Sequence, residues 1–372
     1  MLSTGKNKSI VGLDIEAGSI AATEVRINGS VEVANAGVIA LDAGVFREGE
    51  VSDVEGLADA LKALFSEHKL AKAVRLGIAN QRVAVRTLSL PAIDNDDELE
   101  TAVRFQAQDH IPMPLEHAVL DYQVINRSMG EGGDRQMEVV AVAARRDMLE
   151  ALLKSIRGAG LRPVGIDLSA FGMIRALTRP GSGDGSEALA QSYEGRIAQQ
   201  EEAGGMDMTP AKLYCNLGDV TNLAVARGSA CLFTRISPFG VEGMAQRLAE
   251  RRGLTLDHAR QWISHVGLER PVEELEGDKE TTEATREALA EGVAKLADEL
   301  RLSLEFYRTQ EGAANVEGVV ACGPGSMISG LTERLERELG QRFEVARPAA
   351  LSHLDDASAA RLTLSYGLAL EE

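Results

Sequence analysis

The chain has 372 residues, a length that suggests two or three domains. Its 44% hydrophobic and 26% charged content is that of a globular protein. The 57 acids against 39 bases leave a formal charge of −18, which argues against a nucleic-acid binder and a polybasic membrane binder, and 4% aromatics are too few for a surface that stacks sugars or bases.

In chain order, residues 9–15 (SIVGLDI) read as a buried strand. Residues 19–27 and 31–41 predict two more strands, joined at Asn28-Gly29, a favoured hairpin turn. Ser52-Asp53-Val54-Glu55 has the capping-box pattern and predicts a helix to about residue 68, with Leu57, Leu61, Leu64 and Phe65 on one face. Strands follow at 74–79 and 83–90. An acidic run, 94–100, opens a helix to about residue 109, which Ile111-Pro112-Met113-Pro114 breaks. Strands at 118–125 and 137–144 flank a glycine-rich loop, 130–133, and a helix covers 146–157. Residues 83–157 thus form a β-α-β-β-α unit. A strand at 161–167 and a helix at 168–178 precede residues 181–207, whose shortage of large apolar side chains predicts a mobile surface insertion. Beyond it, strands are expected at 212–217, 220–227 and 230–236, and helices at 241–252, 256–266 and about 281–308. An apolar strand, 316–321, runs into Cys322-Gly323-Pro324-Gly325, before a helix at 327–339, a short strand at 342–346 and a final helix at 357–370.

No apolar run reaches the ~18 residues that cross a bilayer. Residues 1–10 contain Lys6 and Lys8 but no apolar core, so no signal peptide is expected. Cys215, Cys231 and Cys322 lie in apolar segments without Cys-x-x-Cys spacing, which suits buried thiols in a reducing compartment rather than a metal site. No Walker A loop and no Gly-x-Ser-x-Gly motif occur.

One unit repeats. Leu13-Asp14-Ile15-Glu16-Ala17 leads into a hairpin, and Cys215-Asn216-Leu217-Gly218-Asp219 does the same 202 positions on, with Asp14 matching Asn216 and Ser19 matching Thr221. A tight turn between strands can aim backbone N–H groups at an anion. Two such turns facing each other could clamp a polyphosphate, and Asp14 is the residue expected to hold Mg²⁺ through water. The alternative reading is that Asp14 satisfies turn amides.

These residues resemble a known superfamily. Residues 12–19 are similar to the first phosphate loop of the actin, chaperone-ATPase and sugar-kinase proteins, and 216–221 to the second. Gly323-Pro324-Gly325-Ser326 resembles their adenosine loop. Leu90-Pro91, Asp97-Glu98-Leu99, the run from Ala107 to Leu115, and Leu120-Asp121-Tyr122-Gln123-Val124 narrow the likeness to the PilM family of type IV pilus assembly. Ala159-Gly160-Leu161, Val164-Gly165-Ile166-Asp167 and Ser365-Tyr366-Gly367-Leu368-Ala369 extend it. The resemblance implies an α/β, actin-like, two-lobed fold built on a duplicated ribonuclease H-like unit, with an FtsA-type inserted small subdomain. On that pattern the first lobe takes 9–82, 158–180 and 350–370, and the small partner-binding subdomain takes 83–157. A flexible insertion takes 181–209, the second lobe core 210–240 and 301–349, and its helical part 241–300. The resemblance further implies ATP and Mg between the lobes, held by Asp14, Gly18, Ser19, Asn216, Gly218, Thr221, Gly240, Gly323, Pro324, Gly325 and Ser326. It implies a cytoplasmic scaffold that binds the tail of a PilN-like inner-membrane protein within the pilus assembly complex, reaching the membrane through that partner. Self-association is left open.

The chain departs from the family pattern at that site. Glu16 puts a carboxylate and a Cβ where the family has glycine, and a carboxylate beside a triphosphate repels it. Asn216 stands for the usual Asp, Asp219 adds charge, and Gly240-Val241 stands for a Gly-Gly pair. By a loose alignment Arg260 and Ile263 replace a nucleoside-contacting Glu and Lys, with Trp262 between them as a helix-packing residue. These changes predict a weakened or lost ATPase. An active actin-family ATPase is the alternative, and a small-molecule kinase the less favoured one; a type II secretion protein of related fold is a further alternative. The ending Leu370-Glu371-Glu372 has no basic amphipathic helix of the FtsA kind. Most of the −18 falls in 94–100, 181–207 and 269–291, and the acidic run 94–100 is a candidate contact for a basic partner segment, against the alternative of simple helix-dipole compensation.

Overall fold

The structure, a computed structural model, describes residues 8–27, 31–129, 134–178, 210–310 and 312–370. The Asn28-Gly29 turn, the 130–133 loop and the insertion at 181–207 lie outside these residues.

Strands β1 (Lys8–Ile15), β2 (Ser19–Ile27) and β3 (Val31–Ala40) form an antiparallel meander. The hairpin β4 (Phe46–Arg47) and β5 (Glu50–Val51), which periodicity is too short to reveal, leads into α1 (Val54–Glu67). The cap of α1 corrects the sequence reading. Asp53, not Ser52, accepts from the amides of Glu55 and Gly56, both at 3.0 Å. Strand β6 (Ala73–Ile78) returns parallel to β1, and a later strand, β10 (Arg162–Leu168), pairs parallel with β6. The sheet order is β10-β6-β1-β2-β3.

The second sheet repeats this plan. Strands β11 (Ala211–Leu217), β12 (Thr221–Arg227) and β13 (Ala230–Ser237) form the meander, and β14 (Val316–Cys322) and β15 (Phe343–Val345) add in parallel, in the order β13-β12-β11-β14-β15. The duplication legible between Asp14 and Asn216 is therefore a duplication of topology. Helices α5 (Val241–Arg252), α6 (Leu256–Val266) and α7 (Lys279–Arg308) pack on the second sheet, with Leu296, Leu300, Leu304 and Tyr307 in its core. The helix expected at 327–339 begins only at Leu331. A 3₁₀ turn, Pro324–Met327, is separated from α8 (Leu331–Leu339) by Gly330 at φ +78°.

Inserted in sequence between β6 and β10 of the first sheet, β7 (Ala84–Pro91), α2 (Asp96–His110), β8 (Ala118–Met129) and β9 (Arg135–Arg145) form a separate three-stranded unit, order β7-β9-β8. It has its own core around Leu88, Leu99, Val103 and Met137. Helix α3 (Arg146–Gly158) leads back to the first lobe.

The two lobes are not independent. Tyr214, Ala224, Ala226, Val320 and Cys322 of the second sheet join the cluster that holds Val11, Leu13, Met173 and Ile174 of the first lobe. Helix α4 (Ser169–Thr178) lies in this shared core, and the last helix, α9 (Asp356–Ala369), crosses β1 and β2 beside it. The packing is so close that a Cβ on Gly12 would fall 1.9 Å from the carbonyl oxygen of Ser365. Asp355 caps α9 by accepting from the Ser358 amide. All three cysteines are free thiols; Cys215 and Cys322 are buried and Cys231 partly so.

Candidate functional site

Three turns converge beneath the mouth of the interlobe cleft. The first joins β1 to β2 and carries Asp14, Glu16, Gly18 and Ser19. The second joins β11 to β12 and carries Asn216, Gly218, Asp219 and Thr221. The third, after β14, carries Gly323, Pro324, Gly325 and Ser326.

Asp14 is buried at the end of β1, and its partner is a residue that the sequence reading missed. Arg361 of α9 donates to the Asp14 carboxylate at 2.5 Å, to the Ser19 hydroxyl at 2.8 Å and to the Ser19 carbonyl at 3.0 Å. Its guanidinium also lies 3.6 Å from the Glu16 carboxylate. Arg361 is only 9% exposed, so this is a charge-assisted network away from water. The one available sequence signal was a single cation inside the otherwise uncharged run Ala359–Leu370.

The loops meet across the cleft. The Gly18 N–H donates to the Asp219 carboxylate at 3.0 Å, and Ala17 N–H supports the same group. In return, the Asp219 N–H donates to Glu16. Burial pushes the Glu16 carboxyl up to about 8, with Arg361 opposing and the Asp219 and Asp14 charges adding. Burial likewise pushes the Asp219 carboxyl up from its ordinary value. Arg260 of α6 closes the mouth. It is held by Glu242 through two bonds of 2.7 and 2.9 Å and by Asp257 at 2.7 Å, and a Cβ on Gly18 would fall 2.7 Å from its Cζ. Ile263, its expected companion, is core, and Trp262 is half-buried against His265.

The remaining expected site residues hold one another. The Thr221 hydroxyl donates to the Phe239 carbonyl at 2.8 Å, and Val241 N–H donates to the Gly218 carbonyl at 2.9 Å. A Cβ on Gly240 would fall 2.4 Å from that same carbonyl oxygen. Gly323, at φ +83°, presses on Asn216, whose Oδ1 accepts from the Cys322 thiol at 3.7 Å. The Ser326 hydroxyl donates to the Gly323 carbonyl at 2.7 Å, and Pro324 opens that turn. The loops thus meet as the repeat predicts, but the cavity among Asp14, Glu16, Asn216 and Asp219 measures about 30 Å³. Sites for ligands the size of a drug or cofactor run to roughly 300–1,000 Å³. With Asp14 held by Arg361 and the loop amides by carboxylates, the donor set does not fit Mg²⁺ and ATP in this arrangement. Among the described residues, no group of three or more His, Cys, Asp and Glu side chains has metal-holding geometry.

A much larger concavity, about 1270 Å³, lies where the small subdomain meets the second lobe. Two edge strands border it, β7 through Ala84, Val85 and Arg86, and β13 through Phe233, Arg235 and Ile236. Met113 and Phe306 add apolar surface, and Phe306 is 55% exposed. The acidic run 94–100 lies elsewhere. Its Asp94 pairs with Arg127 and Arg135, and Asn95 caps α2. No helix among the described residues is long and apolar enough to cross a membrane.

Comparison with solved structures places this fold. The chain is similar to a PilM-PilN type IV pilus biogenesis complex at 24% identity, covering 98% of both chains with a TM-score of 0.76. It is similar to the ethanolamine utilization protein EutJ from Carboxydothermus hydrogenoformans at 14% identity, covering 98% of this chain and 90% of that one, TM-score 0.52. It is also similar to MreB5 of Spiroplasma citri bound to ADP at 12% identity, covering 92% and 93%, TM-score 0.50. These likenesses establish the two-lobed actin-like α/β fold. The sequence profile of the type IV pilus assembly protein PilM matches residues 12–191 and 216–371. The chain therefore belongs to the PilM family of type IV pilus assembly proteins.

Proposed function

We propose that this chain is a scaffold that binds the cytoplasmic tail of a PilN-like membrane protein in the groove between the small subdomain and the second lobe, and that it does so without nucleotide. The observation that carries the reading is the contrast between the two concavities. The groove is about 1270 Å³ and the cleft between the loops about 30 Å³. An extended tail suits the groove because β7 and β13 are both edge strands, and a free edge offers backbone hydrogen bonds to an added strand. Ala84, Val85, Phe233 and Phe306 supply apolar contacts for its side chains. Membrane association then comes through the partner, and ATP hydrolysis has no part in the scaffold role.

The reading is tested by calorimetric titration with a synthetic cytoplasmic tail of a PilN-like protein, using the wild type and Phe306→Asp. Phe306 is exposed, so its replacement leaves the core intact. Saturable binding that the variant weakens at least about tenfold supports the groove. Absence of binding, or equal affinity in both proteins, refutes it.

A further inference from the structure

We propose that the chain carries an internal stand-in for a metal–nucleotide: the carboxyl groups of Asp219 and Glu16 sit on the two facing loops where phosphates would be cradled, and the guanidinium of Arg361 takes the place of the cation, clasping the lobes shut without a ligand. This deepens the nucleotide-free half of the function proposed above and is independent of where a partner tail docks.

The arrangement is reciprocal. Each loop's amides point at a carboxylate that comes from the other loop, Gly18 at Asp219 and Asp219 at Glu16. Backbone amides of strand-to-strand turns are the groups that would otherwise receive phosphate oxygens. The cation binds the carboxylate and the hydroxyl residue that the family resemblance marked for metal and phosphate, Asp14 and Ser19. Arg361 is delivered from the shared core by α9, so its position does not depend on either loop moving. Arg260, on the same lobe as Asp219, supplies a second positive charge near it.

The clasp also explains a retained glycine. A Cβ on Gly218 would lie 2.0 Å from Oε1 of Glu16 and 2.9 Å from Nδ2 of Asn216. Gly218 is thus required by the chain's own carboxylate, with no need of a phosphate. Glu16, which departs from the family pattern, and Gly218, which keeps it, are two halves of one contact.

Hydrogen–deuterium exchange on the full chain tests the inference, read on peptides spanning residues 14–19 and 216–221. In the wild type without ligand, both loops exchange slowly, and millimolar Mg·ATP adds no protection. In Asp219→Ala, exchange at residues 17–19 in the other lobe quickens at least about tenfold, the effect of losing a charge-assisted bond. Asp219→Asn, which keeps an acceptor without the charge, falls between. The inference is overturned if the wild-type loops exchange as fast as open turns, if Mg·ATP slows them, or if Asp219→Ala leaves the first loop unchanged. The wild-type arms stand even if a variant fails to fold. Loss of tail binding with slow loops would refute the docking site and leave the clasp intact.

Discussion

Arg361 is a single cation on an otherwise uncharged stretch of helix, and three carboxylates lie around it. Arg361→Met leaves those acids buried without their counter-ion, and breaking a buried pair in this way costs about 3–5 kcal/mol. Urea unfolding followed by Trp262 fluorescence should show that loss. Arg361→Lys should recover only part of it, because an ammonium cannot span Asp14 and Ser19 as a planar fork does. Glu16 gives a pH dependence. Its carboxyl is raised in the folded chain to about 8, above its ordinary 4.5, so its protonated form is the stabilising one. That contribution is complete below about pH 4.5 and is lost as pH rises through 8. Glu16→Gln should abolish this slope, so the stability difference between variant and wild type grows from pH 5 to pH 8. A flat difference would place Glu16 outside the network. At this scale, sequence reading found the acids, because they break a phosphate-loop pattern, but not Arg361. Residues 14 and 361 come together only when α9 crosses β1, and no local pattern marks that long-range contact.

Elements were more legible than their ends. Alternation and apolar runs located the strands of both meanders, and the stripe of Leu296, Leu300 and Leu304 located α7. The failures have local causes. Asp53 beats Ser52 for the cap of α1, since both lie within two residues of the helix start and Asp53 is the nearer. Gly330, in the left-handed region, is the N-cap of the helix and delays its start to Leu331. The crossing of α4 and α9 is close, because a Cβ on Gly367 would lie 1.8 Å from the Gly172 carbonyl oxygen. Backbone cannot give way there as a flexible side chain can. Gly367→Ala should therefore destabilise by about 3 kcal/mol, at the upper end of overpacking costs. An unchanged urea midpoint would show that the two helices can separate without penalty.

At the level of the molecule, one apolar cluster joins the first lobe to a face of the second sheet, the second lobe has a further core under its helices, and the small subdomain keeps its own. Trp262 reports only on the body, because it packs against the second-lobe core. Val103→Ala, which opens a hole beneath α2, should speed amide exchange across Asp96–His110 and leave the Trp262 unfolding midpoint in place. A shifted midpoint would mean that subdomain and body unfold as one. The duplicated sheets and the family were readable from Asp14, Asn216 and the stretch from Leu90 to Val124, since each is a local pattern. The groove was not, because β7, β13 and Phe306 belong to segments far apart in the chain. The acidic helix start drew attention as a partner contact, yet the large concavity carries Arg86 and Arg235 on its edge strands.

The proposed scaffold role requires that the partner tail bind without nucleotide. Titrating the PilN-like tail into the ligand-free protein, and again with saturating Mg·ATP, tests it most directly. The two dissociation constants should agree within about twofold, since a cleft held shut by its own side chains has no coupling to transmit. Tail binding that appears only with Mg·ATP, or tightens tenfold in its presence, would contradict the account.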